Sequence, residues 1–401
     1  MRSRLFIFSL PAGRLKAAVI ISWRHISQRF QFEECRHGPE SKTRSSISRN
    51  SEDLMRRNKF HITMRCNQSG RTVVRAACLF ALLLLLSFTL TACRSSTTVN
   101  NNAVTPTPSP APPQTSAFDE TRAFAHVRRQ VEFGPRPAGS SELAQTREYI
   151  ASELKSYGLN VSFDEWRATT PVGQRQMVNI IAELPGEASD VVIISSHYDT
   201  KLFREFRFVG ANDGASSTGT LMEIARVMAA AGQRRRATYR FVFFDGEEAF
   251  CEEWTECRNP DGPDNTYGSR RYVEQLKAKN ETQRVRAMIL LDMIGYKQQR
   301  FGRDDMSSPE LVDIVWQTAR ALGHENVFVS ELEGVGGDDH EPFLRANIKS
   351  IDIIQLSTYP YWHTPDDTLD KISPRSLKIV GDVVISSLPR IEERFLGSGA
   401  R

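Results

Sequence analysis

From residue 140 onward the chain switches between a helical apolar spacing and short continuous apolar runs. SSELAQTREYIASELKSYG (140–158) places Leu143, Ala144, Ile150 and Leu154 at helical spacing between a serine start and a glycine stop, which predicts a helix. LNVSFDEW (159–166) and QMVNIIAEL (176–184) predict strands, the second closed by Pro185-Gly186. DVVIISS (190–196), TYRFVFF (238–244), AMILLD (287–292) and KSIDIIQL (349–356) are runs of the kind expected of strands buried on both faces. Helices are predicted for 216–232, where Leu221, Ile224, Ala225 and Met228 share a face and Gly232 ends the run, for 308–323 and for 373–388. Strands alternating with helices and no internal repeat predict a single α/β domain over residues 118–396, with a central mixed, largely parallel, twisted sheet sandwiched by helices.

Ahead of this domain the pattern changes. Residues 64–93, MRCNQSGRTVVRAACLFALLLLLSFTLTAC, have a basic start, an apolar run from Ala76 to Leu90 and a small-residue close, the layout of an export signal. The run is short for a bilayer span. Its end, Leu90-Thr91-Ala92-Cys93, resembles a bacterial lipobox, so Cys93 is expected to carry lipid and to hold the protein at the cell envelope. Residues 1–63 are rich in Arg and Ser without an amphipathic pattern and are expected to be a disordered, over-long gene start. Residues 94–117, dominated by Ser, Thr, Asn and Pro, cannot bury enough apolar surface to order themselves and read as a tether.

This division changes the meaning of the charge. The whole chain carries 52 Lys/Arg and 48 Asp/Glu, but residues 1–93 hold 16 and 5 of them, which leaves 36 basic and 43 acidic residues beyond. The folded part is therefore acidic, and a nucleic-acid partner loses its main support. Of six cysteines, Cys251 and Cys257 fall in the domain, close together. Outside the cytoplasm they can form a disulfide or remain free thiols. A metal role lacks a second cysteine pair or a nearby histidine.

Ligands of open α/β sheets sit beyond the carboxyl ends of the strands. His197 and Asp199 follow the run ending at Ser196, Asp213 precedes the helix at 216, Asp245-Gly246-Glu247-Glu248 follows Phe244, Asp292 follows Leu291, and His363 lies in STYPYWHTPDD after the run ending at Leu356. Singly each has a plain explanation: a hydrogen-bonded strand-end histidine, a helix cap at Asp213, a solvated Glu-Glu pair. Together, carboxylates converging on one buried place repel unless a cation neutralises them, and mixed His and carboxylate donors suit Zn²⁺. No phosphate loop, Gly-x-Ser-x-Gly elbow or Cys/His nucleophile pattern competes.

HYDTK (197–201), GANDGAS (210–216), FFDGEEAF (243–250), LLDMIGY (290–296), DDHEPFL (338–344) and WHTPDDTLDKI (362–372), in this order and after FGPRPAGS (133–140), resemble the zinc-aminopeptidase superfamily. Within it they look most like the glutaminyl-peptide cyclotransferases. The resemblance implies a zinc-aminopeptidase-like fold and a one-zinc site of Asp213, Glu248 and His363. It implies Glu247, Asp292 and Asp338 as catalytic acids, and Trp362, Trp254 and Lys201 against the substrate, a peptide or protein with N-terminal glutamine. A monomer is expected. The aminopeptidases of the same superfamily imply instead two zincs, with His197 and Asp292 on the second metal and Asp213 bridging. Favouring the cyclases are Thr200-Lys201 with the spacer LFREFRFV, Asp338 where aminopeptidases usually show Ser, Trp362 directly before His363, and Trp254 followed by YGSRRYVEQL. GANDGASSTG reads closer to the aminopeptidases, and Trp254 lies one residue further from Glu248 than the cyclase order implies. A catalytically dead receptor on this fold would need lost ligands, and none is lost.

Overall fold

A computed structural model describes residues 5–9, 16–20 and 117–396, with 233–234, 255 and 260–261 excepted. The chain divides into two units, residues 1–104 and 105–401. In the first, strands β1 (Leu5–Ser9) and β2 (Lys16–Ile20) pair antiparallel. The other residues of 1–63 lie outside the described residues. The export signal, Cys93 and the tether up to residue 116 lie outside the described residues.

The second unit starts with α1 (Glu120–Phe133), capped by the Asp119 carboxylate, and α2 (Ser141–Ser156), capped by Ser140 Oγ on Leu143 N–H. A long hairpin, β3 (Asn160–Thr170) and β4 (Gly173–Leu184), leads to β5 (Val191–His197), α3 (Ala215–Ala230) and β6 (Thr238–Phe244). The short β7 (Arg258–Asn259) and β8 (Gly262–Pro263) precede α4 (Tyr267–Ala278) and β9 (Val285–Leu291). Next come β10 (Phe301–Asp304), α5 (Pro309–Ala321), β11 (Phe328–Glu333), α6 (Glu341–Arg345), β12 (Ser350–Ile353) and α7 (Pro374–Phe395). The main sheet runs β12-β9-β5-β6-β4-β3. Its β12, β9, β5 and β6 are mutually parallel, and the hairpin adds two antiparallel pairings at one edge.

Strand alternation divides the core between two layers. Val192, Ile194, Phe241, Phe243, Ile289 and Leu291 face one cluster, shared with residues of α1, α2, α3, α5 and α7. Val191, Ile193, Val242, Phe244, Met288 and Leu290 face the other, with Tyr272, Val273 and Leu276 of α4 and Phe343 of α6. Truncating one of these fully buried side chains to alanine should cost roughly 2–5 kcal/mol. The final helix runs past the predicted stop at Leu388 and through Pro389 to Phe395. The added residues stay helical because Ile391 is buried and Glu392 accepts from Tyr239 Oη at 2.8 Å. Helices α1, α4 and α6, and the parallel pair β10-β11, are additions to the sequence-based expectation.

Candidate functional site

Five segments deliver polar side chains to the carboxyl edge of the sheet. β5 ends at His197, and Tyr198 N–H still donates to Phe244 O of β6, at 3.1 Å. Asp199 follows, and its two carboxylate oxygens accept from the N–H groups of Glu247 (3.2 Å) and Glu248 (3.3 Å). One carboxylate thus orients the Glu-Glu turn after β6. Asp213 lies in the approach to α3, where Gly214 has φ of +88°. A Cβ there would meet Asp199 O at 2.7 Å and the His197 ring at 3.2 Å, so only glycine lets these segments close on one another. The Asp367 carboxylate accepts from Asn212 N–H at 2.8 Å and Asp213 N–H at 3.1 Å, and Tyr359 Oη donates to it at 2.6 Å. Arg136 is fully buried and donates to Tyr198 O, Val209 O and Gly210 O, stapling the two sides of the approach. Burial pulls its guanidinium down to about 10, against the pull of Asp199, Asp213 and Asp367.

Two donor groups result, sharing Asp213. In the inner group, His197 Nε2 lies 3.1 Å from Asp292 Oδ1 and 3.3 Å from Asp213 Oδ1. In the outer group, His363 Nε2 lies 3.5 Å from Asp213 Oδ2 and 3.3 Å from Glu248 Oε2. Within each group the donor atoms lie within 4.8 Å of one another. Asp213 is not a helix cap: Gly214 holds the cap position, and Asp213 Oδ2 is buried without a hydrogen-bond partner among the described residues. Three buried carboxylates against two imidazoles, with an orphaned oxygen between the groups, fit a bound cation.

The protein's own charges set contrasting acidities. Burial drives Glu247 well above the usual carboxylate range, with Glu248, Asp338 and Asp339 adding to the effect and His197 opposing it. Burial would raise Glu248 too, but His363 and Lys201 outweigh it and hold this carboxyl below its ordinary value. Burial also raises Asp292, against His197. Burial beside Asp292 pushes Asp338 up to about 7. Two adjacent glutamates thus acquire opposite properties: one is suited to carry a proton and its neighbour to stay ionised.

These groups open into a cavity of about 430 Å³ whose walls include Trp254, Trp362, Asp338, Met293, Ile354 and Leu356, with Arg270, Glu341 and Arg345 also lining it. Glu247, Asp292, Asp338, Trp254, Trp362 and all three residues of the outer group line this one cavity. Lys201 does not. It is buried and its ammonium donates to Ala249 O (3.0 Å) and Cys251 O (2.9 Å), so the expected substrate contact is replaced by support of the wall behind Glu248. Cys251 and Cys257 are bonded as a disulfide that closes the loop bearing Trp254. Asp264 anchors the loop's base by accepting from Phe250 and Cys251 N–H groups.

Sequence reasoning missed Asp367, Arg136 and a buried acid group behind Asp338. His340 Nε2 lies 3.2 Å from Asp304 Oδ2, and its Nδ1 lies 3.9 Å from Asp352 Oδ2. The Pro-Asp-Asp after His363 and the arginine in FGPRPAGS were the available signals for the first two.

The family model for peptidase family M28 matches residues 179–388, and the chain belongs to that family. Within it, the chain stands with the glutaminyl cyclases. It is 28% identical over 277 residues to the glutaminyl-peptide cyclotransferase of Drosophila melanogaster, which covers 62% of this chain and 75% of that protein. The crystal structure of an Acidobacteriales bacterium glutaminyl cyclase superposes with a TM-score of 0.65 at 32% identity, covering 71% of this chain and 99% of the other. A crystal structure described as a leucine aminopeptidase precursor from Bacteroides thetaiotaomicron VPI-5482 gives 0.63 at 28% identity, covering 68% and 98%.

Proposed function

We propose that the domain is a glutaminyl-peptide cyclotransferase that converts the N-terminal glutamine of peptides or proteins to pyroglutamate and releases ammonia. The observation that carries this reading is Asp338, a fully enclosed acid beside Asp292 in the same cavity as Glu247, raised to about 7 by burial and that neighbour. Three acids with raised affinity for protons suit a reaction in which the substrate supplies its own nucleophile and only a proton must be moved.

Asp213, Glu248 and His363 would hold one Zn²⁺, which when bound supplies a Lewis acid for the γ-carboxamide carbonyl of the substrate. The substrate's α-amine attacks the carboxamide carbon, a C–N bond forms to close the lactam, and the C–N bond to the leaving nitrogen breaks. Glu247 accepts the proton from the α-amine and returns it to the leaving nitrogen, which departs as ammonia. Asp292 and Asp338 hold a proton near the developing oxyanion. Trp254 and Trp362 enclose the small glutamine head and keep amine and carbonyl in reach of each other. We place the enzyme at the bacterial cell envelope, tethered through Cys93; the layout of residues 64–93 supports this, and a Cys251–Cys257 disulfide suits that compartment.

In the structure, the inner group favours a di-zinc aminopeptidase, because His197, Asp213 and Asp292 stand at ligand spacing. In that reading Glu247 would activate water. The test incubates purified, zinc-loaded protein with a glutamine-initiated peptide and with a panel of amino-acid anilides. Ammonia release with an intact peptide bond is expected. Release of free amino acids would overturn the cyclase reading. The Glu247→Gln variant should keep its zinc and lose turnover by about 10²–10⁴-fold; retained turnover would remove Glu247 from the mechanism.

A further inference from the structure

His363 stands on a loop after β12, and its φ of +52° puts a non-glycine residue in the left-handed region. Such a backbone persists only where its surroundings hold it. Metal-bound imidazoles are usually aimed by a hydrogen bond at the ring nitrogen that faces away from the metal. Among the described residues, the recorded partners of the His363 ring, Glu248 and Asp213, both lie on Nε2, and no hydrogen bond reaches Nδ1.

Aromatic packing is what surrounds this ring instead. Trp362 stacks on it with centroids 4.1 Å apart and planes 23° apart. Phe203 and Phe208 meet it nearly at right angles, at 5.6 and 5.9 Å. Phe203 is itself fixed: Phe206 stacks on it at 4.4 Å, Phe208 touches its edge at 5.3 Å, and the Lys201 ammonium lies 5.9 Å from its centroid. The three phenylalanines belong to the spacer LFREFRFV between the inner histidine and Asp213.

We propose that Phe203 and Phe208 are positioning residues for the metal: packing by this spacer holds the His363 imidazole in its ligating orientation, the task a hydrogen bond performs elsewhere. The proposal rests on the reading that Asp213, Glu248 and His363 bind a metal, and it adds that the spacer sets how tightly they do so. Phe203 is the better probe, because it is half-buried whereas Phe208 is buried.

The test measures zinc dissociation constants by chelator competition, and melting temperatures with and without zinc, for the wild-type chain and the variants Phe203→Ala, Phe203→Tyr and Phe208→Leu. Phe203→Ala should weaken zinc binding about 10- to 100-fold, the range for lost supporting contacts. It should melt like the wild type without zinc but lower with zinc, since only the bound form loses stabilisation. Phe203→Tyr keeps the ring and should restore affinity, and Phe208→Leu should weaken it less than Phe203→Ala. Unchanged zinc affinity in Phe203→Ala, or equal falls in melting temperature with and without zinc, would overturn the proposal and leave the metal site standing. A wild-type chain that takes up no zinc would instead overturn the metal reading and the proposal with it.

Discussion

The inner and outer donor groups share Asp213 but are held by different means. His197 and Asp292 continue strands β5 and β9, and Asp292 N–H still donates to Ile353 O at 3.1 Å. Their positions follow from ladders in the middle of the sheet. Glu248 sits on a turn and His363 on a loop with left-handed backbone, the side chain of His363 being 15% exposed against 1% for His197. The inner group is therefore preformed by the backbone, whereas the outer group depends on supports: Asp199 under the Glu-Glu turn and aromatic rings around His363. The difference teaches that donor spacing alone does not rank two sites. The rigid group keeps its geometry whatever it binds, and the supported group can be tuned by residues that never touch the metal.

The shared residue offers the largest break in this comparison. Asp213→Asn removes an anionic donor from both groups, so zinc uptake should fail and turnover should drop by at least about 10³-fold, as expected when a Lewis acid contributing several kcal/mol is lost. Plasma emission analysis of the purified variant, beside its ammonia-release rate, checks this; retained zinc would show that Asp213 is dispensable to both groups. A sharper and smaller effect comes from His197→Gln. If the outer group alone holds the metal, zinc stays at one equivalent and activity falls about 10- to 100-fold, the size of a lost supporting contact. A fall from two equivalents to one would make the inner group a second metal site and favour the aminopeptidase chemistry.

The inner group was legible in the sequence for the same reason that it is rigid. Continuous apolar runs announced the parallel strands, and the first polar residue after each run falls at the sheet edge by strand geometry. The strand pattern also brought Asp213, Glu248 and His363 to this edge, but only their motifs group the three as one ligand set, because nothing in local spacing says that a turn and a distant loop meet. Asp367 and Arg136 escaped because their work is long-range: the carboxylate caps backbone N–H groups 154 and 155 positions away in sequence. For Lys201, a lysine beside an active-site motif gives no sign in the sequence of whether its ammonium faces the cavity or the carbonyls behind it.

The smallest effect concerns the acids behind the inner group. Asp338 is raised to about 7 by burial first and by Asp292 second, while Asp339 and Asp352 are raised well above the ordinary range, also chiefly by burial. A carboxyl that holds its proton more tightly when folded makes stability fall as pH rises, because between its unfolded and folded values the unfolded chain has already released the proton. The histidines act in the same sense at higher pH: carboxylate neighbours raise His197 and His363 despite burial, so their contribution is present in acid and is lost as pH rises through their folded values. Zinc-free protein should therefore lose stability from about pH 4 toward neutrality. For one carboxyl the slope approaches about 1.4 kcal/mol per pH unit. Asp338→Asn cannot titrate there, so its stability between pH 5 and 6 should be flatter than that of the wild type by up to that slope, measured by urea unfolding in chelator. An unchanged slope would mean that the proton is held elsewhere in the acid group, with Asp339 and Asp352 the next residues to replace. With zinc bound, the cation favours ionised acids around it, and the wild-type slope should shrink toward that of the variant.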